Sequence, residues 1–127
     1  MKRPEPRLAT VPRFTGQRLA LAVGIPLSSV PTWVLDTEEV TLEAIPYVLI
    51  HAALASSPIV SHVIAPLMAP QFDAYDLAHE LSKLRYRGHF VVLLPGHPRL
   101  PRPEIVQTEL RMACPRAKIS IVDQVLN

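Results

Sequence analysis

A single cysteine, Cys114, excludes an internal disulfide and any metal site built from several thiolates. Glycine is scarce too, with four in 127 residues. That leaves no glycine-rich loop to cradle a phosphate. Aromatic residues make up 6% of the chain, and no stripe alternates them with basic residues as a nucleic-acid surface would. Long apolar runs are also missing. The longest candidate, Ile45 to Val60, is interrupted by Pro46, His51, Ser56, Ser57 and Pro58. It falls short of the roughly 20 apolar residues that a membrane helix needs. The opening MKRPEPRLATVPRFTGQR has no apolar core of the kind a secretory signal carries. These absences lead to the expectation of a cytoplasmic, reduced protein with no membrane partner.

What is abundant is proline, with 14 residues, and apolar side chains, at 49% of the chain. The length suits one domain with a sizeable core. The net charge of +2 is unevenly placed. Residues 1–18 carry five basic side chains against Glu5, a net of +4, and the remainder has eight basic residues against ten acids. The expected organisation is a basic, proline-rich flexible leader over 1–18 and a single domain over 19–127. Nucleic-acid contact would rest on the leader alone.

Past the leader, strand-like and helix-like segments alternate. LALAVGI (19–25) is an apolar run of strand length closed by Pro26, and TWVLD (32–36) reads as a second strand. Thr37 followed by Glu38 and Glu39 reads as the start of a helix running toward Ser56, kinked at Pro46. IVSHVIAPL (59–67) is a third strand. Asp73 then opens a helix whose Ala74, Leu77, Ala78, Leu81 and Leu84 form one apolar stripe, with Gly88 expected just beyond its end. HFVVLLPG (89–96) is a fourth strand. Pro103 opens a last helix with Val106, Leu110 and Ala113 inward and Pro115 as its stop, before a final strand AKISIVD (117–123). This alternation predicts an α/β fold: a small flavodoxin-like, mostly parallel sheet with helices on both faces. The six residues PLSSVP between the first two strands are too few for a full helix, so the first helix should be reduced or missing.

Chemistry in open sheets of this kind gathers at the carboxyl ends of the strands. That singles out Gly24 and Ile25, Asp36 and Thr37, Pro66 to Pro70 (with Met68), Pro95 to His97, and Asp123 with Gln124.

The stretch PLMAPQFDAYDLAHELSKL resembles the segment after the third strand of response-regulator receiver domains, and the likeness extends over about residues 33–124. HFVVLLPG is similar to that family's fourth strand and KISIVD to its fifth. In receivers an aspartate, three residues and a proline lead into a helix that starts with an acid and a small residue. Pro70 matches the proline, and Asp73 with Ala74 match the acid and small residue. The resemblance puts the phosphate-accepting position on Pro66, the phosphate-contacting hydroxyl on Pro95 and the family lysine near Asp123. The first strand ends VGIPL, without the family's acid pair for Mg²⁺. A second register, with WVLDTEE as the first strand, leaves too few strands after residue 60.

The resemblance therefore implies a pseudo-receiver: a signalling or regulatory module of bacterial type, not an enzyme, needing no cofactor or metal. It would act by contact with a protein partner or a second copy. The last helix and strand, with Glu104, Arg111 and Met112, would form the contact surface, joined by Trp33 and Tyr47. The alternative is a small-molecule or nucleotide sensor with a ligand along the edge at Asp36, Met68 and His97. Other chemistry finds little support. The five histidines show no metal spacing. Cys114 near a helix C-terminus is poorly placed for a nucleophile, and Ser28–Ser29 and Ser56–Ser57 lack the flanking glycines of a nucleophile elbow. Asp73 and Asp76 are explained by helix capping.

Overall fold

A computed structural model describes residues 18–35, 40–56, 59–95 and 102–123. The basic leader up to residue 17 lies outside the described residues, as do Thr37 with the two glutamates that follow it. Five strands form one sheet: β1 (Arg18–Val23), β2 (Val40–Ile45), β3 (Val60–Pro66), β4 (His89–Leu94) and β5 (Lys118–Asp123). Three α-helices connect them: α1 (Ile50–Ser56), α2 (Ala74–Lys83) and α3 (Pro103–Ala113). Every pairing is parallel and the strand order is 2-1-3-4-5. The fold is a small α/β sheet of flavodoxin-like form, as expected.

Parallel strands buried on both faces need apolar residues at nearly every position, and β1, β3 and β4 supply them. Leu21 and Val23, Val63 and Ala65, and Phe90, Val92 and Leu94 point to one face. There they meet Leu77 and Leu81 of α2 and Val106 and Leu110 of α3. Ala20, Ala22, Ile64, Val91 and Leu93 point to the other face, against Val30, Val34 and Leu35. The three α-helices thus share the first face. On the second, the described cover consists of two single-turn 3-10 helices, Leu27–Ser29 and Thr32–Val34. This is the reduced first helix anticipated from the short PLSSVP connection.

Two local assignments are corrected. The described part of TWVLD, residues 32–35, is not a strand: Pro31 leads Thr32–Val34 into a 3-10 turn. The second strand is VTLEAI, the stretch assigned to a helix. Its burial alternates over the first four residues, with Thr41 and Glu43 exposed and Val40 and Leu42 half-buried against the second face, while Ile45 packs on the first. That is the period-2 pattern of an edge strand. The helix expected from Thr37 to Ser56 is therefore confined to α1, which follows a 3-10 turn (Tyr47–Leu49) after Pro46.

Helix α2 follows its sequence signals at the front. Asp73 Oδ1 accepts from the Asp76 N–H at 2.8 Å, and Asp76 Oδ2 accepts from the Asp73 N–H at 3.0 Å, a reciprocal capping box. Its end differs from expectation. The residue in left-handed conformation is Arg85 (φ 58°), not Gly88. Tyr86 N–H reaches Leu81 O at 3.0 Å and Arg85 N–H reaches Ser82 O at 3.0 Å, the two bonds of a Schellman motif. Gly88 is required for a different reason. A Cβ there would collide with the Tyr86 ring, whose hydroxyl donates to Val60 O at 3.1 Å.

Candidate binding site at the carboxyl edge

The order 2-1-3-4-5 has one place where the chain reverses direction across the sheet, between β1 and β3. Connections leave the two strands in opposite directions there, which opens a crevice at their carboxyl ends. The residues on either side of that crevice determine what it can do.

On the helix-bearing side an aromatic ring fills it. Gly24 follows β1 with φ +76°, and its N–H donates to Ile45 O at 3.0 Å. The Phe72 ring lies where a Gly24 side chain would stand: a Cβ there would sit 2.5 Å from Phe72 Cε1. Tyr47 stacks on the Phe72 ring, with centroids 4.4 Å apart and planes 7° from parallel. Burial raises the Tyr47 pKa, and Glu80, Asp76 and Asp73 add to the effect. The loop that brings Phe72 here is tightly closed. Ala69 N–H donates to Phe72 O at 2.9 Å and Ala74 N–H to Leu67 O at 2.9 Å.

On the opposite side the crevice stays open as a depression of about 450 Å³. Ile25, Ser28 and Ser29 form the β1 wall, Pro66 and Met68 the β3 wall, and Leu93 with Pro95 the β4 wall. Pro66 and Leu93 are register partners, so the β3 and β4 walls meet at one level. Pro95 has no N–H to extend the ladder. The Leu67 carbonyl instead takes the Ala74 N–H.

The structure thus gathers Pro66, Met68 and Pro95 into one concavity. Asp123 ends β5 opposite Leu94, one strand further out, and is exposed. Asp36 and His97 lie outside the described residues. Of the expected contact residues, Trp33 is 59% exposed on its 3-10 turn and Met112 78% exposed on α3, where Glu104 and Arg111 are also exposed. Tyr47 is half-buried in the stack with Phe72. Sequence reasoning did not assign a role here to Ser28, Ser29 or Phe72. The available signal for the serines was their place in the short PLSSVP connection that leaves the carboxyl end of β1.

Two histidines form a separate group at the opposite end of the sheet. His62 and His89 are register partners whose ring centroids lie 5.2 Å apart. His62 Nδ1 lies 2.7 Å from Ser61 Oγ, and His89 Nε2 lies 2.5 Å from Ser120 Oγ. Cys114 is buried, and burial raises its pKa, which disfavours the thiolate. Among the described residues no group of three or more His, Cys, Asp or Glu side chains is arranged to hold a metal ion. None of their helices is long and apolar enough to cross a membrane. No protein-family model, curated protein or solved structure matches the chain.

Proposed function

We propose that this chain is a non-enzymatic regulatory module, a pseudo-receiver of the bacterial cytoplasm that signals by protein contact and accepts no phosphoryl group at the end of β3. One observation carries the reading. Pro66 closes β3, Pro95 follows β4, and the Phe72 ring packs against Gly24, at the edge where phosphoryl transfer would require oxygen ligands. Pro66 offers no nucleophilic atom. Gly24 and Ile25 offer no side-chain oxygen to a magnesium ion.

The contact surface in this reading is α3. Ile105 is 51% exposed and Met112 78%, and their spacing of seven places both on one side of the helix. Glu104 and Arg111 flank that stripe on a common side. Two copies of α3 laid antiparallel about a twofold axis near Thr108 would put Ile105 against Met112 and Glu104 against Arg111. Such a contact is self-complementary, as a symmetric dimer requires.

The test uses the full chain. Incubation with acetyl phosphate and Mg²⁺ should leave the intact mass unchanged; a stable adduct on an aspartate would end the proposal. Native mass spectrometry should find a dimer that Met112→Glu converts to a monomer of unchanged melting temperature. A monomeric wild type would remove α3 as a self-contact and leave a different protein as its partner.

A further inference from the structure

The open half of the crevice has a composition that the contact through α3 does not use. We propose that the depression lined by Ser28, Ser29, Pro66, Met68, Leu93 and Pro95 is a binding site for a small, uncharged heteroaromatic molecule of one or two rings.

Position is the first argument. The depression lies at the strand-order reversal between β1 and β3, where open α/β sheets offer a ready crevice. Its volume of about 450 Å³ falls within the range of small-molecule pockets, roughly 300–1,000 Å³.

The chemistry of the walls is the second. Leu93 is buried and makes an apolar floor beside the half-buried Ile25. Pro66 and Pro95 present rigid, apolar rings. They also remove two backbone N–H donors from the strand ends, the kind of group that holds anions at such an edge. Met68 stands 69% exposed at the rim. Its thioether chain adapts to a ligand's outline and makes favourable contacts with aromatic rings. Two neighbouring hydroxyls, Ser28 and Ser29, can each donate and accept a hydrogen bond. They suit ring nitrogens, exocyclic amines or carbonyls on a ligand's edge. The described walls thus combine apolar faces for a flat ring with polar groups for its rim. A phosphate or carboxylate would find no cationic side chain among the described wall residues.

The site is separate from α3, so it stands or falls independently of the dimer. Met68 also provides the probe. The full chain labelled at its methionine ε-methyls is titrated with adenine and with nicotinamide, both uncharged at neutral pH. The Met68 signal should shift saturably with at least one of them, while Met112 on α3 stays in place. Ser28→Phe fills the depression from an exposed turn and should abolish the shift without lowering the melting temperature. Ser29→Ala should weaken binding severalfold. Adenosine 5′-monophosphate should bind at least tenfold more weakly than adenine if adenine is the responder. Several outcomes would overturn the proposal: no saturable shift with either probe, equal movement of both methyls, or a nucleotide bound as tightly as the base. A Met68 signal that moves with protein concentration alone would also overturn it, since the depression would then be an interface between copies.

Discussion

Gly24 and Pro66 each have a function that no other residue type would fill as well. Gly24 combines a positive φ with a position against the Phe72 ring, and each disfavours a side chain. Gly24→Ala should therefore destabilise the protein by more than about 1 kcal/mol, since both the left-handed backbone and the displaced ring oppose it. Urea unfolding monitored by circular dichroism measures the loss. Gly24→Ala combined with Phe72→Leu should restore part of it, because the shorter side chain withdraws from the new Cβ. Pro66 bears on chemistry more than on stability. Pro66→Asp restores a carboxylate at the end of β3, yet Gly24 and Ile25 at the end of β1 still provide no acid to share a magnesium ion. The variant should remain unmodified by acetyl phosphate and Mg²⁺, as read by intact mass. Phosphorylation of Pro66→Asp alone would mean that the rest of the reaction machinery survives in another form.

Among the elements, the end of α2 is built correctly with an unfavourable residue. The Schellman bonds from Arg85 and Tyr86 are in place, but a left-handed residue with a Cβ costs about 1 kcal/mol relative to glycine. Arg85 is exposed, so Arg85→Gly should raise stability by about 0.5–1 kcal/mol, measured as a higher urea midpoint at constant m. The sequence suggested Gly88 for this position because glycine is the usual left-handed residue. The actual constraint on Gly88 is the nearby Tyr86 ring, a tertiary contact that local spacing does not reveal. A related difficulty explains the error at β2. Thr37, Glu38 and Glu39 carry strong helix-start chemistry, and the apolar–polar alternation of VTLEA immediately after them is short. TWVLD has strand-forming residues, but it follows Pro31 and reaches the second face of the sheet as a 3-10 turn. The strands β1, β3, β4 and β5 were legible because continuous apolar runs bounded by Pro, Gly or charge have few other uses. Pro66, Met68 and Pro95 were legible because sheet topology fixes where strand ends gather. Ser28, Ser29 and Phe72 were not, since their part depends on which side of the crevice each loop closes.

Among the described residues the sheet is covered asymmetrically: one face carries α1, α2 and α3, and those helices are linked to one another by polar contacts. His51 Nε2 lies 2.5 Å from Glu80 Oε1, linking α1 to α2, and Tyr75 donates to Glu109 at 2.8 Å, linking α2 to α3. Glu80 sits below the usual carboxylate range because His51 and then Lys83 hydrogen-bond to it. A lowered folded-state value means that this contribution is present above the unfolded pKa and fades as pH falls through the folded one. The alkaline limb has the opposite sign. Burial, then the bond to Glu109, pushes the Tyr75 phenol up to about 12, and burial also raises Tyr47 and Tyr86. Folding favours the protonated phenols, so between the unfolded value near 10 and the folded value the native state holds more protons. The phenols' contribution to stability should thus be constant up to about pH 10 and decline as pH rises toward 12. Tyr75→Phe removes the bond to Glu109 and should start lower at pH 8 by about 1 kcal/mol or less. With one fewer titrating phenol, its decline above pH 10 should be shallower than that of the wild type. Urea unfolding of both proteins at pH 8, 10 and 11 decides the matter. Parallel declines would mean that Tyr75 titrates alike in the folded and unfolded chains and that its bond to Glu109 does not hold the helix layer together.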